Sequence, residues 1–255
     1  MKIFFRSTSN SAGKFRPDWF SYESCFKSIF RYNPNDITVF FDGDPDTVPL
    51  YIRESGVNIE FAKEGGSETK SFRSLLEHLR DLNLDKDEIV YILEDDYLHS
   101  RSPSEVLEDV LINTNVDYAT LYDHADKYFP NYFDNFATGF KTFLFHTEKS
   151  HWRTTPSTTN TFATKYGTLM KDFDTHMKFS DVNEKVSRDH EKFHALWSEG
   201  RTLVSSVPGL STHVENMLMS PCFDWSTCVD NDSSLSNDSS LSVNVLDDTV
   251  ADACA

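Results

Sequence analysis

The stretch Tyr91-Ile92-Leu93-Glu94-Asp95-Asp96-Tyr97 sets an apolar run directly against three adjacent acids. Residues 88–93 are apolar at most positions, the pattern of a strand buried on both faces of a sheet. The acids then fall at its C-terminal end, the edge where open α/β sheets bind ligands. Adjacent carboxylates repel one another unless a cation offsets their charge. Hard oxygen donors suit Mg2+ or Mn2+, often shared with a substrate phosphate. Successive residues on an extended chain point to opposite faces, so Glu94 and Asp96 are expected on one side and Asp95 on the other, with separate tasks. The plain alternative is a solvated acidic turn after a strand.

Upstream of this strand, short apolar runs alternate with helical periods. Strands are expected at residues 3–6, 36–41 and 57–62, with helices at 18–32, 49–55 and from Ser67 or Thr69 to about 82. Leu75, Leu76, Leu79 and Leu82 supply the stripe of the last of these. A further helix is expected at 104–111. Strand–helix alternation of this kind predicts a doubly wound, mostly parallel sheet. Beyond residue 111 the pattern changes. Strands are expected at 118–122 and 136–146, flanking the aromatic segment 128–133, so the sheet becomes mixed. A Thr-rich loop is expected at 153–161, helices at 162–170 and 189–199, and a strand at 203–207. From about Asp230 the chain repeats Asn-Asp-Ser-Ser-Leu-Ser, at 231–236 and 237–242. Such a segment has too little apolar surface to offset its ordering entropy; residues 223–255 are expected to be an acidic, Ser-rich, disordered tail outside a single domain of residues 1–222.

The chain has 255 residues, enough for one large α/β domain or two small ones, and a formal net charge of -17. That charge disfavours nonspecific contact with nucleic acid or anionic membranes. It is uneven: after Arg201 there is no Lys or Arg, while Glu215 and seven Asp follow. Cys25, Cys222, Cys228 and Cys254 show neither paired nor zinc-type spacing, so they are expected to be reduced thiols. No apolar run approaches the roughly 20 residues of a membrane helix, and the N-terminus lacks a signal-peptide pattern. A soluble, cytoplasmic protein is expected.

Glu94-Asp95-Asp96, following three strand–helix units, resembles the acidic DxD-type motif of the GT-A class of glycosyltransferases. The resemblance covers residues 1–222. It implies an α/β fold with a Rossmann-type nucleotide-binding half (1–111), a mixed central sheet and an acceptor-binding distal half (112–222). It also implies that Asp96 reaches a divalent metal, Mn2+ or Mg2+, and that Asp95 contacts the donor's ribose or sugar. Arg6, Ser7 and Thr8 end the first strand, where the class binds the nucleotide; Asp42 ends the second, where an acid often accepts from the base. Lys70 and Arg73 open the third helix, and their charges with the helix N-terminus would favour a diphosphate. Asp189, at a helix start in Ser187-Arg188-Asp189-His190-Glu191, matches the place of the general base in inverting members, with Glu191 a competing choice. His213 matches a further metal or diphosphate contact. The hydroxyl-rich segment Trp152 to Asn160 looks like the acceptor side, with Trp152 offering a stacking face. A looser likeness of residues 4–10 to glycosyltransferase domains of large algal viruses suggests UDP-rhamnose or UDP-glucose as donor.

The resemblance therefore implies a metal-dependent transfer of a sugar from a nucleotide-diphosphate donor, UDP-linked, to an acceptor glycan hydroxyl, with inversion. The class also contains retaining enzymes. The alternatives are a metal-dependent phosphohydrolase or nucleotidyltransferase using the same acidic edge, and a noncatalytic carbohydrate- or nucleotide-binding protein.

Overall fold

The computed structural model describes residues 1–9, 13–128 and 141–229. Its first half follows the expected alternation: β1 (Lys2–Thr8), α1 (Tyr22–Phe30), β2 (Ile37–Asp42), α2 (Leu50–Arg53), β3 (Asn58–Phe61), α3 (Glu68–Leu82), β4 (Ile89–Glu94), β5 (Tyr97–His99) and α4 (Pro103–Asn113). Ser21 and Ser67 cap α1 and α3 by accepting the amides of Ser24 and Lys70 at 3.0 and 3.2 Å, each satisfying a donor the helix leaves unpaired. α1 begins four residues later than expected. Trp19 and Phe20 lie before it and pack on a cluster formed by Cys25, Leu98, Val214 and Trp225. Leu82, the last residue of α3, is 41% exposed and falls outside the buried stripe of Leu75, Leu76 and Leu79.

The second half holds β6 (Tyr118–Thr120), β7 (Leu144–His146), β8 (His151–Thr154), β9 (Phe162–Lys165), α5 (Tyr166–Lys171), α6 (Phe173–Lys178), α7 (Asp189–Ser198), β10 (Leu203–Val207) and β11 (Ser211–His213). The main sheet runs β3-β2-β1-β4-β9-β6-β10-β8-β7. β3, β2, β1 and β4 are parallel, while β9 is antiparallel to both β4 and β6, so the sheet is mixed and Rossmann-like. Two expectations fail here. Residues 162–165 form a strand rather than the start of a helix, because Phe162, Ala163 and Thr164 are wholly buried between two strands whose ladders need partners. Residues 151–154 form a strand that runs into the start of the Thr-rich loop expected at 153–161. The aromatic residues 129–133, part of the expected strand at 136–146, and the repeats beyond Asp230 lie outside the described residues.

Strand alternation splits the core in two. Phe5, Val39, Phe41, Tyr91 and Leu93 face α1 and α4. Phe4, Phe40, Val90, Ile92 and Phe162 face α3 and α7. The chain stays packed beyond the expected boundary at 222: Trp225 is 2% exposed and donates from Nε1 to the Ser220 carbonyl at 2.9 Å. Among the described residues no helix is long and apolar enough to cross a membrane.

Candidate active site

The parallel register places Arg6 of β1 beside Glu94 of β4. The chain leaves the extended conformation after Glu94, so the three acids do not simply alternate; each faces its own partners. Arg6 is buried, 3.7 Å from Glu94 and 3.2 Å from Glu68. Asp95 accepts the Thr8 amide at 3.2 Å and a side-chain bond from Ser7. Burial together with Asp96 pushes Asp95 up to about 7. Burial likewise pushes Glu94 up to about 8, against the pull of Arg6.

Asp96 and His213 meet although 117 residues separate them. The cause is a small second sheet that the sequence pattern did not reveal. β11 runs antiparallel to β5, His213 is paired with Tyr97, and the Val214 amide donates to the Asp96 carbonyl at 2.9 Å. His213 Nε2 lies 3.0 Å from Asp96 Oδ2, and its ring stacks on Tyr97 at 5.2 Å. Two cations absent from the sequence reading share Asp96 Oδ2: Lys14 and Arg16, each at 2.7 Å. Burial works against the charge of Asp96, but His213, Lys14 and Arg16 outweigh it and hold the carboxyl well below its ordinary range.

Asp189 opens α7 and belongs to a second polar group joined to the first through Arg6. The hub is Glu68, which sequence reasoning missed. Its Oε1 accepts from Arg6 at 3.2 Å and from Asn160 at 2.7 Å; its Oε2 accepts the amide and hydroxyl of Ser187, both at 2.8 Å. Burial raises Glu68, but Arg6 and the bonds from Asn160 and Ser187 prevail and lower it. Glu68 thereby fixes the entry to α7 two residues before Asp189. The fully buried Lys192 donates to Asn160 and, at 2.9 Å, to Asp189 Oδ1. Burial pushes Asp189 up to about 6 in spite of Lys192. A buried Lys at i+3 from a helix-start acid was the available signal; its sequence pattern is also that of an ordinary surface pair.

Asp189 lines a cavity of about 160 Å³ with His124, Asp126, Lys127, Ser157, Thr158, Thr159 and His190. The cavity adjoins the Asp96–His213 pair. Thr159 bonds the Tyr97 hydroxyl at 2.7 Å, and Tyr122 lies against both His124 and His213, at 5.0 and 6.4 Å between ring centres. The hydroxyl-rich segment is therefore divided in use. Ser157, Thr158 and Thr159 line the cavity, Asn160 serves Glu68 and Lys192, and Arg153 pairs with the buried Asp123. Trp152 has no exposed face at all and donates to Thr147 at 3.0 Å, so it is core and offers no stacking surface.

The remaining candidates are scattered. Asp42 accepts the Gly66 amide with both oxygens, at 3.1 and 2.9 Å, and so pins the loop before α3. Lys70 is half-buried in the first turn of α3 and makes no ion pair among the described residues. Arg73 lies one turn on and donates to the carbonyls of Met177 and Ser180 at 2.8 and 3.1 Å, which commits it to the end of α6 rather than to the crevice. Glu191, the competing base, is exposed and absent from the cavity lining.

Asp96 and His213 offer one oxygen and one nitrogen, a donor set that suits Mn2+ better than the oxygen-seeking Mg2+, and Asp96 Oδ1 is buried with no hydrogen-bond partner. Two donors make a foothold that phosphate oxygens would have to complete. Among the described residues no group of three or more His, Cys, Asp or Glu side chains is arranged around a metal position.

No protein-family model matches the chain. No curated protein matches it in sequence. Similar solved structures include a CMP:2-keto-3-deoxy-manno-octonic acid synthetase complexed with CTP, at 13% identity over 82% of this chain and 91% of that one, with a TM-score of 0.46. The galactosyltransferase LgtC, in complex with donor and acceptor sugar analogs, is 14% identical over 76% and 69% of the two chains, with a TM-score of 0.42. A glucosyl-3-phosphoglycerate synthase from Mycobacterium tuberculosis, in complex with Mn2+, UDP and phosphoglyceric acid, is 12% identical over 68% of this chain and 64% of that one, with a TM-score of 0.36. The chain thus spans less than two thirds of that synthase. These neighbours are nucleotidyltransferases and glycosyltransferases, and at such identities the likeness concerns backbone architecture alone.

Proposed function

We propose that the chain is a glycosyltransferase that moves a sugar from a nucleoside diphosphate donor, UDP-linked, to an acceptor glycan hydroxyl with inversion. The observation that carries this reading is the placement of Asp189. A carboxyl pushed up to about 6 by burial lines a hydroxyl-rich cavity whose Thr159 and His124 contact Tyr97 and Tyr122, the two rings that also lie against His213. A general base is most effective when its pKa lies near the working pH. An acceptor hydroxyl seated among Ser157, Thr158 and Thr159 would give its proton to Asp189 as its oxygen attacks the anomeric carbon. The bond from that carbon to the diphosphate breaks, and the nucleoside diphosphate leaves with the electron pair.

The nucleotide would lie along the ends of β1 and β4. There Ser7, Thr8 and Asp95 present the ribose-facing edge, with Asp42 and Lys70 flanking it. The edge is not as acidic as the sequence suggests. With Glu94 pushed up to about 8 and Asp95 to about 7, Arg6, Lys14, Arg16 and Lys192 face Glu68, Asp96 and Asp189, a balance that would admit a diphosphate. Asp96 and His213 would hold the divalent metal, which would neutralise charge on the leaving diphosphate. Free Cys25, Cys222 and Cys228 suit a reducing compartment, in keeping with a cytoplasmic enzyme.

The test is nucleotide release from a panel of UDP- and GDP-sugars with Mn2+, comparing wild type with Asp189→Asn and Asp96→Ala. Acceptor-stimulated release that collapses in both variants is expected. Release at the same rate with and without acceptors would instead identify a hydrolase. No release from any donor would leave the transferase reading without support.

A further inference from the structure

Lys14 and Arg16 both neutralise Asp96, but they are held differently. Arg16 donates to the Val214 carbonyl as well as to Asp96, and its guanidinium lies 4.5 Å over the Phe20 ring. It is fixed on three sides. Among the described residues the Lys14 ammonium bonds the two groups expected to bind metal, lying 2.7 Å from Asp96 Oδ2 and 3.2 Å from His213 Nε2. Its side chain is 38% exposed, against 12% for Arg16. A flexible four-carbon stem carries a compact point charge into the place that a cation bridging Asp96 and His213 would take. Asp96 is 3% exposed and its Oδ1 is buried without a partner, so the carboxylate retains an unused oxygen at this position.

The geometry points to Lys14 as a resident cation that holds the metal position until a divalent ion arrives with a diphosphate. The inference rests on the metal-dependent reading above. Metal alone must displace the ammonium from the carboxylate that holds it, leaving Lys14 the more distant charges of Glu94, Asp95 and Glu215. Metal with a nucleoside diphosphate brings phosphate oxygens that take the displaced ammonium, so the two ligands bind in support of each other. By linkage, each raises the affinity of the other by the same factor. Arg16 stays in place throughout and keeps Asp96 ionised.

The experiment is Mn2+ titration of the full chain followed by electron paramagnetic resonance of free Mn2+, with and without UDP. Wild type is compared with Lys14→Met and Lys14→Gln after thermal melts establish that both fold. Wild type is expected to bind Mn2+ at least tenfold tighter when UDP is present. Both variants should bind Mn2+ alone about tenfold tighter than wild type, and the gain from UDP should shrink severalfold. The differences should persist at high salt, because they come from direct displacement rather than from a screened long-range charge. Equal Mn2+ affinity in wild type and variants, with UDP-assisted binding intact, overturns the role of Lys14 and leaves the metal reading standing. A variant effect that vanishes at high salt overturns it as well. Absence of Mn2+ binding in every protein, even with UDP, removes both readings together.

Discussion

Replacing Lys192 by Met tests whether a buried ammonium sets the charge of the proposed base. Lys192 is fully buried and 2.9 Å from Asp189 Oδ1, and Asp189 keeps 23% side-chain exposure. At an effective dielectric near 20, a pair at this distance interacts by about 6 kcal/mol. Partial exposure and water entering beside the shorter Met screen much of that; taking a third, about 2 kcal/mol, gives a shift of roughly 1.5 pKa units. Asp189 stands at about 6 in the wild type because burial outweighs Lys192, so the variant should stand near 7.5. A base works only when ionised. At about pH 6.5 the ionised fraction falls from roughly three quarters to about a tenth, an approximately eightfold loss in kcat/KM. At about pH 9 both proteins are ionised and the difference should close. Stability carries the same sign. A carboxyl raised by folding costs stability as pH climbs from its unfolded value through its folded one, so the variant should lose more Tm at alkaline than at acid pH. The assay is the pH profile of donor turnover with parallel melts. An acid limb that stays near 6, or a loss of equal size at every pH, would refute the coupling of Lys192 to Asp189.

Asp189→Asn keeps shape and hydrogen bonding but removes the base, and should lower acceptor-dependent turnover by about 10²–10⁴-fold while calorimetry shows unchanged UDP binding. Arg201→Ala removes bonds of 2.7 and 2.6 Å to Asp172, a carboxylate with 2% side-chain exposure that Tyr118 also bonds. Urea unfolding should register a loss of about 3 kcal/mol, and a loss below about 0.5 kcal/mol would mean that the pair contributes nothing. Gly65→Ala would set a Cβ 1.8 Å from Asp42 Oδ1, breaking the hold of Asp42 on Gly66. A stability loss of about 1–3 kcal/mol is expected, with weaker UDP binding, and wild-type values for both would show that the loop yields freely. Trp152→Phe should lower Tm and leave the acceptor KM unchanged; a raised KM at wild-type Tm would return Trp152 to the acceptor site.

Much of the first half of the fold was legible because its signals are local. Most strands there are short apolar runs, Ser21 and Ser67 cap α1 and α3, and β1, β2 and β3 pair with their sequence neighbours while β4 returns beside β1. The distal half lacks that property. Residues 162–165 read as the start of a helix because what makes them a strand is the pair of ladders on either side, β4 and β6, which the chain reaches from elsewhere. Trp152 read as a platform for the same reason: its local sequence is polar, and only the pairing of β8 with β10 turns it inward. The division of the hydroxyl-rich segment among cavity, network and core is equally a product of tertiary position.

The acidic edge shows where a motif stops being informative. Glu94, Asp95 and Asp96 are adjacent and chemically alike, yet burial pushes the first up against the pull of Arg6, the Thr8 amide and the Ser7 side chain engage the second, and Lys14, Arg16 and His213 hold the third well below its ordinary range. None of those partners lies within the motif, and the ones on Asp96 come from 80, 82 and 117 residues away. A run of acids therefore announces that cations must be near without saying whose they are. In this chain Arg16 answers permanently for Asp96. Lys14 sits between Asp96 and His213, the two donors of the proposed metal site, so on that proposal the chemistry of the edge turns on whether this ammonium can be exchanged for a divalent ion.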